Sequence, residues 1–276
     1  MRIAITGGKG GVGKTFVATS LAVALAKTNR VLLVDADVDC PNAHLVLSVK
    51  RFIVKKVFQF IPRFDFDKCI KCGLCGKVCK KNAIVSVQGK SPIFISDLCN
   101  GCRVCMIVCK NKAISEGKSM VGKIFLGKKD NITIVSAEIL PSYRNSAFVV
   151  SEEMEFVKKL KDYEYILIDT SVGIHCDVIE AISGVDLVLA VTEPTPLGKH
   201  DLGLVLQLTR LLKLPVKIIL NKANLGDKRL IYKIAKYYKV NIIGEIPYKK
   251  EFLISYTNGS LISDENIVNI VNLLKK

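Results

Sequence analysis

The sequence contains no tryptophan, only three histidines, and fewer acidic residues (25) than basic ones (41). It also lacks an apolar run of the roughly 18 residues that a helix needs to cross a bilayer, because charges such as Asp35, Asp169 and Asp186 interrupt the apolar segments. No leader pattern of basic, apolar and small residues opens the chain, which passes from a strand-like segment directly into glycines. These absences argue against a membrane-spanning or secreted protein, and we expect a soluble, cytoplasmic one.

Length and composition favour one large domain and one small one. The chain has 276 residues, of which 50% are hydrophobic and 24% charged, as in globular proteins. Strand-like and helix-like segments alternate near both ends, which predicts a mostly parallel sheet covered by helices on both faces. The middle is instead rich in cysteine and basic residues. We therefore predict a discontinuous α/β domain, residues 1–48 and 131–276, with a small α+β domain inserted at 49–130 around a core at 65–117.

A glycine-rich stretch lies between the first predicted strand and the first predicted helix. It reads GKGGVGKT and fits the pattern G-x-x-x-x-G-K-S/T, whose backbone N–H groups cradle phosphates at a helix N-terminus. A chance glycine-rich turn is the alternative, but the flanking strand and helix are the context that a phosphate loop requires. In this motif the lysine neutralises phosphate oxygens and the hydroxyl binds Mg²⁺. The predicted nucleotide-binding residues are Gly8, Lys9, Gly10, Gly11, Val12, Gly13, Lys14 and Thr15.

Eight of the ten cysteines form a repeat. The spacing C-x2-C-x2-C-x3-C occurs twice, 30 residues apart, and the likeness continues into Ala83-Ile84 and Ala113-Ile114. Two zinc sites are the alternative, but zinc pairs two C-x2-C units and does not need this longer run. The spacing is that of bacterial two-cluster ferredoxins, in which the fourth cysteine of each run binds the other cluster. It predicts two 4Fe–4S clusters, one held by Cys69, Cys72, Cys75 and Cys109, the other by Cys79, Cys99, Cys102 and Cys105.

Positive charge is concentrated around these cysteines. The net charge is +16 overall, and residues 50–130 contain 18 Lys or Arg against 5 Asp or Glu, a net +13. Each four-thiolate cubane brings about two negative charges, so part of the excess offsets the clusters. Lys80 and Lys110 stand where ferredoxins usually have proline, and we expect them to raise the reduction potential. The charge is therefore weak support for nucleic-acid binding.

The phosphate-loop segment GGKGGVGKT resembles the deviant phosphate loop of the MinD/ParA/Mrp superfamily of ATPases. The likeness extends to VDADVDCPN and to the segment that ends at Asp169, although this chain has Thr-Ser-Val-Gly where the superfamily commonly has x-Pro-Pro-Gly. It implies that Lys9 reaches the phosphates of a partner in a homodimer, so Lys9, Lys14 and Asp37 are the expected catalytic residues. It also implies that Asp37 orients water, and that Thr15, Asp35 and Asp169 serve Mg²⁺.

Three shorter and less specific motifs continue the resemblance toward the end of the chain. They are VTEPTP, the pair Asn221-Lys222 and the pair Ile246-Pro247. In the superfamily the last two line the adenine site, which implies that Asn221 hydrogen-bonds the base and that Pro247 lies against it. The expected cofactors are therefore ATP, Mg²⁺ and two 4Fe–4S clusters.

Three functions are compatible with these features. The first is an ATPase that couples Mg-ATP binding and hydrolysis to electron transfer through the clusters to an unidentified redox partner. The second is an iron–sulfur assembly or carrier ATPase, although carriers of the Mrp type use a C-terminal C-x-x-C and no cysteine follows Cys176. The third is a positioning ATPase that binds DNA or another surface; membrane targeting is poorly supported and nucleic acid is not excluded.

Two cysteines, Cys40 and Cys176, lie outside the repeat, next to the segments that resemble nucleotide switches. They could hold a labile or bridging cluster near the nucleotide, but free cysteine is commonly a small buried hydrophobe, which is the interpretation we favour. The basic segment that begins at Arg51 is predicted to be a solvated edge strand.

Overall fold

The computed structural model describes residues 1–141, 143–257 and 264–275. The chain divides into two compact units. The large unit comprises Met1–Lys55, Ile124–Glu138 and Ala147–Lys276, and the small unit comprises Lys56–Lys123 and Ile139–Ser146.

Eleven strands occur in the described residues. They are β1 (Arg2–Thr6), β2 (Val31–Ala36), β3 (Arg51–Phe64), β4 (Ile84–Val85), β5 (Ile93–Phe94), β6 (Ile114–Lys129), β7 (Ile132–Ile139), β8 (Tyr165–Thr170), β9 (Leu187–Thr192), β10 (Val216–Asn221) and β11 (Ile242–Ile246).

Ten α-helices occur in the same residues. They are α1 (Lys14–Ala26), α2 (Ala43–Val46), α3 (Leu74–Lys77), α4 (Val104–Ile107), α5 (Ser146–Val157), α6 (Cys176–Ile182), α7 (Pro196–Leu211), α8 (Arg229–Tyr238), α9 (Lys250–Thr257) and α10 (Glu265–Leu274).

The main sheet has the strand order β11-β10-β9-β1-β8-β2-β7-β6-β3. All hydrogen-bonded pairs from β11 through β7 are parallel. A connection of only two residues joins β6 to its neighbour β7, which makes that pair antiparallel. The prediction of an α/β fold with a mostly parallel sheet is confirmed, and β3 lies at the sheet edge, as predicted for the segment that begins at Arg51.

Helices cover both faces of this sheet because alternate residues of each strand point to opposite sides. On one face, Leu189 and Ile219 pack with α1 and α10 in the larger hydrophobic cluster. On the other face, Ala190 and Ile218 pack with α7 and α8 in a second cluster. The near-continuous apolar sequences of β2 and β9 agree with this burial, since every residue of both strands is buried.

The small unit contains the cysteine repeat. Its helices α3 and α4 are one turn each and follow corresponding positions of the two halves. Strands β4 and β5 form a separate antiparallel pair in which Ile84 lies opposite Phe94. Phe60, Ile84, Cys105 and Ile114 form a small hydrophobic core.

The bounds of the units differ from the predicted domain limits. Strands β3 and β6 each pass from one unit into the other, so the division lies at residues 55 and 123 rather than at 48 and 130. Residues 139–146, predicted to belong to the α/β domain, pack with the small unit. The cause is the length of β3 and β6, at 14 and 16 residues, because each strand contributes residues to both units.

Candidate functional sites

The phosphate-loop sequence connects β1 to α1, and two of its glycines have left-handed backbone conformations. The φ angles are 78° at Gly11 and 95° at Gly13. A Cβ atom at Gly13 would lie 2.2 Å from Nδ2 of Asn221, so this position excludes any side chain by both conformation and contact. The turn brings the backbone N–H groups before α1 to the carboxyl end of the sheet, where ligands of open α/β sheets bind.

A cavity of about 490 Å³ opens beside this loop, a volume suited to a nucleotide-sized ligand. Most residues predicted to bind nucleotide line it, and others join them that the sequence did not single out. The predicted nucleotide-binding ones are Gly10, Gly11, Gly13, Lys14, Thr15, Asn221 and Pro247; Asp37, predicted as catalytic, also lines the cavity, and the others are Phe16, Asn42, Val172, Lys222, Tyr248, Lys249 and Phe252.

Three predicted nucleotide-binding residues do not line the cavity. Gly8 lies against α7, where an added Cβ would be 2.5 Å from Cβ of Asp201. The side chain of Val12 is buried in the larger hydrophobic cluster, and its carbonyl oxygen faces Asn221. Lys9 points to Glu193. The backbone of these residues still belongs to the loop, so their role toward phosphate stays a prediction.

Asp35 and Asp169 lie side by side at the ends of β2 and β8. Asp35 accepts hydrogen bonds from the backbone N–H groups of Asn42 and Ala43, each at 2.8 Å, yet burial and the charge of Asp37 raise its pKa to about 6. Burial, and then the charge of Asp35, raise the pKa of Asp169 well above its usual value. Neither carboxylate oxygen of Asp169 has a hydrogen bond of standard geometry.

This acidic pair fits a divalent cation. Two buried carboxylates with raised pKa values, one of them with orphaned oxygens, are stabilised by a nearby positive ion. The Thr15 hydroxyl lies close enough to Asp169 to lower its pKa. The predicted Mg²⁺ group of Thr15, Asp35 and Asp169 is therefore brought together, although its role toward the metal stays a prediction.

Lys14 is the first residue of α1 and is only 8% exposed. Burial lowers its pKa, while the carboxylates of Asp169 and Asp37 act in the opposite direction. An ammonium held in this way, at a cavity lined by backbone N–H groups, is suited to phosphate oxygens.

Asn221 and Lys222 both bind the phosphate-loop backbone. The Nδ2 atom of Asn221 donates to the carbonyl oxygen of Val12 at 2.7 Å, and Nζ of Lys222 donates to that of Gly11, also at 2.7 Å. Asn221 was expected to hydrogen-bond a base; here its amide nitrogen holds the loop, so base recognition stays a prediction. The contacts of Lys222 were missed because no local pattern indicates which backbone a lysine will reach.

Lys9 forms an ion pair with Glu193 of the same chain, at 2.6 Å between Nζ and Oε1. Glu193 is 7% exposed and follows the end of β9. Its second oxygen, Oε2, lies 3.3 Å from Nζ of Lys222. Although burial opposes it, the hydrogen bond from Lys9 and the charge of Lys222 leave the pKa of Glu193 lowered.

The cysteines of the repeat line two separate cavities in the small unit. Cys69, Cys72, Cys75 and Cys109 line a cavity of about 110 Å³, called the first cysteine site below. Cys79, Cys99, Cys102 and Cys105 line a smaller one of about 20 Å³, called the second cysteine site. Each site thus combines three cysteines of one half with the fourth cysteine of the other. These are the two sets predicted from the spacing.

The two halves of the repeat have the same backbone conformation. Left-handed residues recur at equivalent positions 30 residues apart, namely Lys71 and Gly101, Gly73 and Arg103, and Asn82 and Lys112. Four of these six are not glycine, so the loop geometry is maintained against local preference. Such strain persists where the surrounding structure requires it, commonly at ligand sites.

The thiols repel one another as thiolates. Burial raises the pKa of Cys75, Cys99 and Cys105, the last to about 11, and the neighbouring cysteines add to the effect. A bound cationic group would offset this cost. Within the described residues, however, no group of three or more His, Cys, Asp or Glu side chains is placed to hold a single metal ion. The side chains surround free space instead of converging on one point.

Cys40 and Cys176 are both exposed. The interpretation of these two as small buried hydrophobes is therefore wrong. Cys40 lies in a turn after β2, and Cys176 is the first residue of α6. Both positions are outside the buried strands of the sheet.

The fold and the loop together define the large unit as a P-loop nucleotide-binding domain. The sequence profile of the CobQ/CobB/MinD/ParA nucleotide binding domain matches residues 3–262, and the chain belongs to that family. Membership supports ATPase activity. None of the described helices combines the length and apolar character needed to span a bilayer.

Known proteins resemble the chain over nearly its whole length. An uncharacterized protein of Methanocaldococcus jannaschii is 33% identical over 260 residues, which cover 94% of this chain and 90% of the relative. The septum site-determining protein MinD of Thermotoga maritima is 23% identical over 270 residues, 95% of this chain and 80% of the relative.

Solved structures show the same fold at lower identity. MinD of Pyrococcus horikoshii, complexed with Mg-ADP, has a TM-score of 0.62 at 19% identity and covers 100% of this chain and 96% of its own. The MinC:MinD complex of Aquifex aeolicus has a TM-score of 0.60 at 21% identity, covering 100% and 95%. These matches support the nucleotide-binding part of the sequence analysis. They give no support to iron–sulfur clusters, a ferredoxin domain or a redox partner.

Proposed function

We propose that the protein is a Mg-ATP-dependent ATPase that couples nucleotide binding and hydrolysis to electron transfer through two 4Fe–4S clusters in its small unit. The nucleotide part is supported by family membership and by the cavity beside the phosphate loop. The iron–sulfur part rests on one observation: two cavities are each lined by four cysteines, and the sets are those that the repeat predicts.

In the nucleotide site each residue acts through charge or position. Lys14 and the loop N–H groups hold the phosphate oxygens, and Asp37 orients a water, a role supported by its half-buried position in the cavity lining. Thr15, Asp35 and Asp169 would hold Mg²⁺, which neutralises phosphate charge when bound. Phe252 and Pro247 supply apolar surface for the base. Two chains would combine into a homodimer when Lys9 of one reaches the phosphates of the other.

In the small unit we assign the role of cluster ligand to the eight cysteines of the repeat. Clusters bound there would supply one-electron chemistry. Surrounding basic residues favour the reduced, more negative state: Lys71, Lys90 and Lys110 line the first cysteine site, and Lys81 and Arg103 line the second. That no single-ion site occurs among the described residues is compatible with this proposal, because a cubane would be held by four thiolates that need not meet at one ion.

The test is anaerobic reconstitution of the full chain, followed by iron and sulfide analysis and an EPR-monitored redox titration. The titration is run without nucleotide, with Mg-ADP and with a slowly hydrolysed Mg-ATP analogue. We expect about eight iron atoms per chain, as two cubane clusters require, and a potential that shifts with nucleotide in wild type but not in Lys14→Ala.

Each contrary result would indicate a different function. One zinc ion or two per chain, without sulfide, would overturn the iron–sulfur part. Clusters that ignore nucleotide would overturn the coupling, and transfer of their iron to an apo-protein would then support a carrier ATPase.

A positioning ATPase is the second candidate, and the comparisons favour it over electron transfer because the named relatives include septum site-determining proteins. The net charge of +16 provides a means of binding an anionic surface. ATP-dependent co-sedimentation with DNA, lost steeply as salt is raised, would support this candidate. No binding to DNA or to anionic vesicles with either nucleotide would remove it.

A further inference from the structure

Glu193 lies where two lysines of the nucleotide site meet. Its Oε1 accepts from Nζ of Lys9 at 2.6 Å and its Oε2 from Nζ of Lys222 at 3.3 Å. Lys222 also donates to the Gly11 carbonyl at 2.7 Å, so the carboxylate is tied to the loop from both sides. The Thr195 hydroxyl, 3.4 Å from Oε1, is a further weak donor.

The backbone around Lys9 fixes this geometry. A Cβ atom at Gly7 would lie 2.7 Å from the Val191 carbonyl oxygen, and one at Gly8 would lie 2.5 Å from Cβ of Asp201. Only residues without a side chain allow the loop to approach β9 and α7 this closely. Lys9 therefore leaves the loop directly beside Glu193, where the lysine side chain is 28% and the glutamate 9% exposed.

A lysine held in this way is not available to a second chain. We propose that Glu193 is a positioning residue that restrains Lys9 within its own chain, and that exchange of this carboxylate for phosphate oxygens accompanies assembly of the nucleotide-bound dimer. The inference rests on the dimer of the proposed function and adds to it the group that opposes dimer formation. It also assigns Lys222 a role, as the lysine that remains on Glu193 when Lys9 departs.

The energetics favour a reversible switch. Breaking a buried ion pair is normally costly because one charge is left without a partner. Here Glu193 keeps Lys222 and Thr195, and Lys9 exchanges one anionic partner for another. Neither group is left uncompensated, so release needs little more than the arrival of the phosphates. Without nucleotide, Lys9 has no competing anion and stays on Glu193.

The experiment compares wild type, Glu193→Gln, Glu193→Asp and Lys9→Ala, together with the double variant Lys9→Ala/Glu193→Gln. Glu152→Gln is the matched control, because Glu152 binds Lys55 at 2.7 Å in the same unit. The chain concentration at which half of the protein is dimeric is measured by analytical ultracentrifugation with the slowly hydrolysed Mg-ATP analogue, and again with Mg-ADP. Affinity for the analogue is measured separately at concentrations where the chain is monomeric.

With the analogue we expect Glu193→Gln to dimerise at about tenfold lower concentration than wild type, a difference of about 1.4 kcal/mol. Glu193→Asp keeps the charge but has a shorter side chain, so we expect it to dimerise at a concentration between those of Glu193→Gln and wild type. Glu152→Gln should dimerise at the wild-type concentration. In the Lys9→Ala background the Glu193 substitution has no effect, because the restraint acts only through Lys9.

Three results would overturn the inference. The first is Glu193→Gln dimerising no more readily than wild type. The second is loss of analogue binding by the Glu193→Gln monomer, which would mean that Glu193 supports the loop. The third is a wild-type chain that binds the analogue yet stays monomeric. That last result also removes the dimer from the proposed function, whereas the first two leave it intact.

Discussion

Asp35 and Asp169 are paired residues of the adjacent parallel strands β2 and β8, and burial, followed by the charge of Asp35, raises the pKa of Asp169. The sheet itself imposes this proximity, since the carboxyl ends of parallel strands meet at one edge. Two buried carboxylates destabilise the protein without a cation and create a place for one.

The first prediction concerns that pair. Asp169→Asn removes a buried like-charge contact, so at pH 7.5 without Mg²⁺ we expect the free energy of unfolding to rise by about 1 kcal/mol. The variant should lose most of the stabilisation that Mg-ATP gives wild type, because the cation site lacks one charge. Thermal unfolding with and without Mg-ATP measures both effects. A variant less stable than wild type alone, yet fully stabilised by Mg-ATP, would contradict the assignment.

The second prediction is a pH dependence. The pKa of Asp35 is about 6 in the folded protein, against an ordinary aspartate value of 3.8, so the folded state binds this proton more tightly than the unfolded state. This contribution to stability is present below pH 4 and is lost as the pH rises through 6, amounting to about 2–3 kcal/mol. The raised pKa values of Asp169 and Glu153 act in the same direction.

Urea unfolding of the metal-free chain at intervals between pH 4 and 7 tests this. Other carboxylates add their own pH dependence, so the informative quantity is the difference between wild type and Asp35→Asn. That difference should shift in favour of the variant as the pH rises. A difference that is flat across the range would show that Asp35 titrates normally.

The third prediction is a graded series in the phosphate loop. A Cβ atom at Gly10 meets nothing within 4 Å, one at Gly11 is strained by φ alone, and one at Gly13 is strained by φ and meets Asn221. We expect alanine to cost under about 0.5 kcal/mol at Gly10, about 1 at Gly11 and about 2–4 at Gly13. Urea unfolding without nucleotide gives the three values, and equal costs would contradict the loop geometry.

The fourth prediction tests the crossed cysteine sets. Cys72→Ser/Cys109→Ser places both substitutions in the first cysteine site, whereas Cys72→Ser/Cys79→Ser divides them between the two. After reconstitution we expect about four iron atoms per chain in the former and close to none stably bound in the latter, if each site holds one cubane. The reverse result, close to no iron in the former and about four atoms in the latter, would mean that each half of the repeat binds its own cluster.

The fifth prediction concerns support of the second cysteine site. Nε2 of Gln59 donates to the carbonyl oxygen of Cys99 at 2.7 Å, and Oε1 of Gln59 accepts from the Tyr143 hydroxyl. Gln59→Met keeps the length of the side chain and removes both bonds. Groups that orient metal ligands commonly change metal affinity by about 10–100-fold, so we expect iron release to a chelator to be at least tenfold faster.

The effect should be confined to one site. Gln59→Met is therefore measured in a Cys72→Ser background, which leaves the second site, and in a Cys102→Ser background, which leaves the first. Faster release in both backgrounds would indicate general loosening of the small unit.

Local patterns accounted for much of the large unit. The predicted alternation of strands and helices is present, and strands β8, β9 and β10 coincide with short runs of apolar residues, which is the pattern of buried parallel strands. Helix α7 begins at Pro196, since the Thr195 hydroxyl caps it by accepting from the Gly198 N–H at 3.0 Å.

The sequence by itself determined the phosphate loop, the repeat of cysteines and the alternation of the α/β fold, because each depends on spacing along the chain. Tertiary structure decided which distant groups meet. Lys9 and Glu193, 184 residues apart, pair only because β1 and β9 are neighbours in the sheet. The hydrogen bond of Asn221 to the phosphate loop and the exposure of Cys40 and Cys176 likewise depend on how the elements pack. Local spacing specifies backbone conformation, whereas partners and burial depend on packing between elements remote in sequence.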